Sequence, residues 1–238
     1  MRVLAIGDLH LPGPQKKTMD EFGPQWKDHV KAIESAWQET VLEEDVVLIP
    51  GDVTWASSYE EARPELKWLD RLPGRIKVIS RGNHEYWWNR SERMQADHAT
   101  LRFASGFFPL REVSLNVVSC VGYTFPRFIR QERRAAELEN YFRQLQHLWT
   151  AIRSNADSLA ALPRERNFAM IHYPPIESGG IPSGMHEAIR LYCANCVFGH
   201  LHGEQIRLAW TGVMDGTKYT FVSADGIGFK PVVVAENL

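Results

Sequence analysis

Five short apolar runs, each followed at once by a carboxylate, amide or imidazole, constrain this 238-residue chain more than any other feature. Residues 3–6 lead into Gly7-Asp8-Leu9-His10, and Val46–Ile49 into Pro50-Gly51-Asp52. Residues 76–79 lead into Gly82-Asn83-His84-Glu85, Asn167–Ile171 into His172, and 197–198 into Gly199-His200-Leu201-His202. Such short, largely apolar runs read as strands buried on both faces. Between the first three lie segments of helical period: 20–43, with Phe22, Trp26, Val30, Ile33, Trp37 and Val41, and 60–71. Strand, helix, strand, helix, strand implies a parallel sheet with helices on its faces.

The rest of the chain reads as a second β region. Strands are expected at 113–115, 117–122, 167–171 and 197–198, and helices at 130–162, broken near Asn155, and 185–192. Segments 206–210, 213–214, 219–223 and 232–234 read as antiparallel strands, with Asp215-Gly216 as a hairpin turn. The expectation is an α/β protein, a four-layer α/β/β/α sandwich of two mixed sheets flanked by helices, in one domain over residues 1–238.

Composition limits the alternatives. Hydrophobic residues at 44% and charged residues at 24% are those of a globular chain. A net charge of -2 argues against an extended nucleic-acid surface, the one basic cluster being Arg127, Arg130, Arg133 and Arg134. No run reaches the ~18 apolar residues of a membrane span, and the N-terminal run is too short for a secretion signal. Three cysteines, Cys120, Cys193 and Cys196, make no disulfide framework and fit a reducing cytoplasm. Cys193-x-x-Cys196 has no second pair to complete a sulfur-ligated zinc site.

Nine histidines are many for this length. Ligands in open α/β sheets sit at the carboxyl ends of strands, where these polar groups cluster. Residues i and i+2 of extended chain face one side, so Asp8 with His10, and His200 with His202, each offer two groups to one centre. Asp8, His10, Asp52, Asn83, His172, His200 and His202 form a nitrogen and oxygen donor set without thiolate, suited to Mn, Fe, Co, Ni or Zn. Seven donors are too many for one catalytic ion with an open position and suit two ions sharing a carboxylate, with Asp52 as the natural bridge. The glycines beside them leave room for sharp turns.

These motifs, Asp8-x-His10, Gly51-Asp52, Gly82-Asn83-His84-Glu85, His172 and Gly199-His200-x-His202, resemble the signature of the calcineurin-like metallophosphoesterases. The stretch 82–88 and His172-Tyr173-Pro174-Pro175 resemble a bacterial phosphohydrolase branch. The resemblance implies two divalent ions, manganese first among them. One is held by Asp8, His10, Asp52 and His202, the other by Asp52, Asn83, His172 and His200, with His84 as the catalytic group at the substrate phosphate. The expected reaction is hydrolysis of small phosphodiesters, cyclic nucleotides included, by a metal-bridging hydroxide. A phosphomonoesterase, a nuclease and a non-catalytic scaffold are the alternatives. Tyr173 and Trp87 are the expected substrate contacts, with Trp55 and Trp88 also near the ligands. The loop 178–184 reads as a lid or a plain connection, Phe125-Pro126-Arg127 as a border of the cleft, and His186 as a residue able to approach it from behind that loop.

Overall fold

The computed structural model describes residues 1–88 and 91–238, without the side chains of 91–93. Its first sheet has five strands in the order β13-β1-β2-β3-β4: β1 (Val3–Ala5), β2 (Val46–Ile49), β3 (Ile76–Ser80), β4 (Leu101–Ala104) and β13 (Val232–Ala235). Strands β1 to β4 run parallel, and β13 closes the edge antiparallel to β1. The second sheet has six strands in the order β11-β12-β10-β7-β6-β5. These are β5 (Gly106–Leu110), β6 (Leu115–Cys120), β7 (Asn167–Ile171), β10 (Asn195–Phe198), β11 (Gly212–Met214) and β12 (Thr217–Phe221). A small hairpin joins β8 (Ile176–Glu177) to β9 (Ile181–Pro182).

Helices cover the outer face of each sheet, and a short helix, α3 (Ser91–Ala96), leads into β4. Alternation within each strand shows why both faces had to be apolar. Leu4, Val47 and Ile49 join the cluster under α1 (His29–Thr40) and α2 (Tyr59–Arg71), while Val3, Ala5, Val46 and Leu48 face the other sheet. In β7, Phe168 and Met170 point between the sheets, and Ala169 and Ile171 point toward α4 (Arg134–Arg153) and α6 (Gly184–Ile189). The four-layer α/β/β/α sandwich of two mixed sheets is therefore present.

Several local expectations are corrected. The segment 20–43 is not one helix. It holds two 3-10 turns, Asp20–Phe22 and Pro24–Trp26, before α1 begins at His29. Gly23, at φ 124°, with Pro24 behind it, breaks the helical path there. Segment 113–115 holds the end of a 3-10 turn at Arg111–Val113, and β6 starts at Leu115. Segment 206–210 is no strand: Gly203–Leu208 is a 3-10 turn with no buried residue, so its apolar side chains do not mark a sheet face. Only β11 and β12 make the antiparallel hairpin; β12 is parallel to β10, and β13 crosses to the first sheet. The helical region 130–162 does break at Ser154-Asn155, into α4 and α5 (Ala156–Ala160).

Trp87 is likewise corrected as a substrate contact. It is 0% exposed and belongs to the helix-side core of the first sheet, edge-on to Phe103 at 6.3 Å. A ring without solvent contact cannot meet a diffusing substrate. Trp87→Ala is expected to lower unfolding free energy by about 3–5 kcal/mol in urea titration. Trp87→Phe, which keeps most of the volume, should turn over near the wild-type rate.

Candidate metal centre

Strands β1, β2, β3, β7 and β10 deliver their following loops to one end of the sandwich. There the backbone is forced into unusual shapes. Asp8 (φ 55°), His10 (φ 43°), Asp52 (φ 54°) and His200 (φ 75°) all adopt the left-handed region. They are four of the ten non-glycine residues that do so among those described, and such strain concentrates at functional sites. Two glycines are needed for contact distance. A Cβ on Gly82 would overlap the Asp52 carboxylate, and one on Gly199 would overlap that of Asp8.

All seven side chains expected as ligands are brought together. His10 Nε2 lies 3.1 Å from His202 Nε2, and Asp8 Oδ1 lies 3.5 Å from the same nitrogen. His172 Nε2 is 2.9 Å from Asn83 Oδ1, 3.2 Å from His200 Nδ1 and 3.4 Å from Asp52 Oδ2. Asp52 Oδ2 also lies 3.7 Å from His10 Nε2, between the two groups. Donor atoms of Asp8, His10 and His202, and of Asp8, Asp52 and His172, each fall within 4.8 Å of one another. Asp8, as well as Asp52, thus reaches both groups.

Two observations test whether these residues fit divalent cations. Ring nitrogens of His10 and His202, and of His172 and His200, face each other at 3.1 and 3.2 Å, so each pair directs two donors at a common point. Asp8 and Asp52 are almost fully buried, and the bases within ion-pair distance of them among the described residues are imidazoles. Buried carboxylates call for paired charge or a metal. The donor set fits.

Neighbours not singled out in the sequence orient these groups. Asp225 Oδ1 is 2.9 Å from His202 Nδ1 and its other oxygen accepts from the Gly203 amide at 3.0 Å. The Pro50 carbonyl is 2.9 Å from His172 Nδ1. Both contacts leave Nε2 free to point at the centre, the arrangement usual around metal-bound histidines. Ser223 Oγ donates to Asp8 Oδ2 at 2.9 Å. Glu85, fully buried, accepts from the amides of Asp52 at 3.0 Å, Val53 and Gly82, and so ties the loop after β2 to the loop after β3. Trp55 stacks on His10 at 4.7 Å and lies 4.3 Å from His84, with the Lys17 ammonium 3.2 Å above its ring. Glu85 stood inside a recognised motif; Ser223 and Asp225 carried no local signal.

His84 stands at the rim, 28% exposed. Its amide donates to Asp52 Oδ1 at 2.9 Å and its Nε2 lies 3.9 Å from Asp52 Oδ2. Tyr173 stacks on His200 with ring centroids 3.7 Å apart. His186 does not approach: it is buried beneath the second sheet, bonded to Tyr219 and Asp215. Cys193 and Cys196 are buried free thiols, away from the donors.

Electrostatics divide the histidines. Burial holds His10 and His200 down at about 3, so both rings are neutral. His172 is raised to about 9 by Asp52 and Asp8, against burial, and His202 to about 10 by Asp225 and Asp8, also against burial. Asp52 is held well below the usual carboxylate range by His172 and His10, despite its burial. Burial and the nearby Asp52 charge push Glu85 up to about 8, against its three amide donors.

Fold and donor set together define an α/β/β/α protein with two candidate metal-ligand groups at the carboxyl ends of its strands. A family model described as calcineurin-like phosphoesterase matches residues 1–204, and the chain belongs to that family of metal-dependent phosphoester hydrolases. It is 26% identical over 201 residues to "UPF0046 protein K07C11.7" of Caenorhabditis elegans, a match covering 78% of this chain and 63% of the worm protein. The chain thus spans under two thirds of that relative's length. A crystal structure of AQ665 from Aquifex aeolicus, a protein of unknown function, aligns over 98% of this chain and 95% of its own, at 12% identity and a TM-score of 0.47. Among the described residues no helix is long and apolar enough to cross a membrane.

Two outcomes follow for metal binding. A metal ligand must be deprotonated, so if these histidines are ligands the protons on His172 and His202 leave when metal enters, while His10 and His200 hold none. Apparent manganese affinity should therefore rise as pH is raised from 6 toward 9. Calorimetry at pH 7 in buffers of different ionisation heat should read net proton release, and pH-independent binding would contradict the assignment. Asp225→Asn should weaken manganese binding about 10–100-fold, the usual cost of losing an orienting partner, as measured by equilibrium dialysis.

Proposed function

We propose that the chain hydrolyses small phosphodiesters, with two divalent cations, manganese foremost, held by Asp8, His10, Asp52 and His202 and by Asp52, Asn83, His172 and His200. The observation that carries this reading is the convergence of those donors into two groups around Asp8 and Asp52. Bound there, two cations supply an acidified water and draw charge from the phosphoryl oxygens. The chain's own residues do the rest. Asp52 spans the two groups, and Glu85 fixes the loops that carry Asp52 and Asn83. The Asn83 amide oxygen suits a hard cation without adding charge.

His84 is the proposed catalytic group. Burial holds its imidazole below the ordinary value, with His172 and Lys17 acting in the same direction and Asp52 opposing them. Its Nδ1 is buried without a partner, while the ring edge reaches the rim where an incoming ester would lie. From there it donates to a phosphoryl or leaving-group oxygen. A diester is preferred because, among the described residues, the lysine that acts on His84 is already engaged. Lys17 lies over Trp55, and Arg127 is paired with Glu177. A monoester dianion asks for more positive charge than a diester monoanion. The three free, buried cysteines support a reducing compartment, the cytoplasm.

The test compares bis-p-nitrophenyl phosphate with p-nitrophenyl phosphate on protein loaded with Mn, Mg, Fe, Ni or Zn. A higher kcat/KM on the diester is expected. A faster monoester reaction overturns the diester preference, and inactivity with all five metals overturns the phosphoesterase reading. His84→Ala should keep its metal content by elemental analysis and lose about 10²–10⁴-fold in kcat.

A further inference from the structure

Beside the candidate metal centre lies a cavity of about 300 Å³ that no part of the chemistry above uses. That is the lower end of the range of small-molecule pockets, ~300–1,000 Å³. It is continuous with the centre through His200, which lines it. Tyr173 stacks on the His200 ring, and Tyr123 stacks on Tyr173 with centroids 5.8 Å apart at 26°. Leu201, between the two histidines of the last motif, lines the same space. Phe128 and Leu208 stand at its mouth, 57% and 44% exposed although both are large and apolar. Exposed apolar side chains gathered at a concavity mark a binding surface.

The electrostatics of the cavity are those of an uncharged occupant. The carboxylate among its lining residues, Glu177, is engaged by Arg127. The Arg127 guanidinium also lies 4.7 Å from the Phe128 ring, which fixes it against the aromatic wall. Hydroxyls of Thr124 and Ser178 offer polar contacts at the edge. An ester arm reaching out from a phosphorus near His200 would enter between aromatic faces and meet no unpaired charge.

We infer that this cleft is a subsite for a planar, uncharged ring carried on one arm of the phosphoester, seated between the Tyr173–Tyr123 stack and Phe128. The inference rests on the phosphoester reading for the placement of the phosphoryl end, and on the cleft alone for the ring. Ring stacking on aromatic side chains is tolerant of ring type and adds affinity whichever planar group is presented. Specificity between esters of one phosphoryl class is then set by the arm.

The test uses probes that cannot be hydrolysed: phenylphosphonate and methylphosphonate, which share a headgroup, and phenol, which is the ring alone. Affinities are measured by calorimetry on the manganese-loaded full chain and after removal of metal with EDTA, and phenol contact by saturation-transfer NMR. Wild-type protein is expected to bind phenylphosphonate at least tenfold tighter than methylphosphonate. That ratio should fall at least fivefold in Phe128→Ala and in Leu208→Ala, two substitutions at exposed positions, with folding checked by thermal melts. Equal affinity for the two phosphonates overturns the subsite and leaves the phosphoester reading standing. A preference for the ring that neither variant alters overturns the subsite as well. Phenol contact that is lost in Phe128→Ala, together with methylphosphonate binding no tighter with manganese than without, supports the cleft and overturns the phosphoester reading instead.

Discussion

Asp8 and Asp52 are carboxylates buried at the end of two strands with imidazoles as their neighbouring bases. Much of the architecture answers that one electrostatic problem. Isolated buried charge is costly by many kcal/mol, so each oxygen must find donors or counter-charge. Asp8 takes Ser223 and the His200 amide; Asp52 takes the His84 amide. The remaining field falls on the histidines. It raises His172 and His202 while burial lowers His10 and His200, so rings a few ångströms apart differ by several units. A cluster poised in this way, with alternating charge states, is one that divalent cations would relieve.

The positions of these groups follow from the two-sheet frame. Strands buried on both faces have no solvent-facing side on which to carry polar residues, so polar chemistry is pushed to their ends. Because β1, β2 and β3 are parallel, as are β6, β7 and β10, those ends gather on one side. The left-handed residues Asp8, His10, Asp52 and His200 then turn the loops after β1, β2 and β10. Glu85 is the fastening between two of these loops, and its three amide contacts would be lost with any side chain too short to reach them.

How much of this was legible follows the range of the interactions. The strand-end groups are local events, an apolar run followed within three residues by a polar motif, and the seven side chains that the structure brings together all stand in such motifs. The four-layer frame was readable from the same runs. What escaped depends on contacts that no local pattern records. Asp225 meets His202 across 23 residues, and Ser223 meets Asp8 across 215. Strand β5 was missed because Gly106 and Pro109 interrupt its pairing with β6, and β4 because Arg102 splits an apolar run of four residues that pairs with β3. Trp87 was misplaced for a related reason. Adjacency to ligands in sequence does not say which way a ring points, and this one turns into the core while Tyr173, also next to a ligand, turns toward the centre.

Ser223 and Asp225 lie beyond the last proposed ligand, His202, and strand β13, which closes the first sheet beside β1, comes later still. As the chain is synthesised, every proposed ligand leaves the ribosome before the residues that hold Asp8 and His202 in place. The geometry around Asp8 and His202 is thus set last, by the part of the chain that carries Ser223, Asp225 and β13.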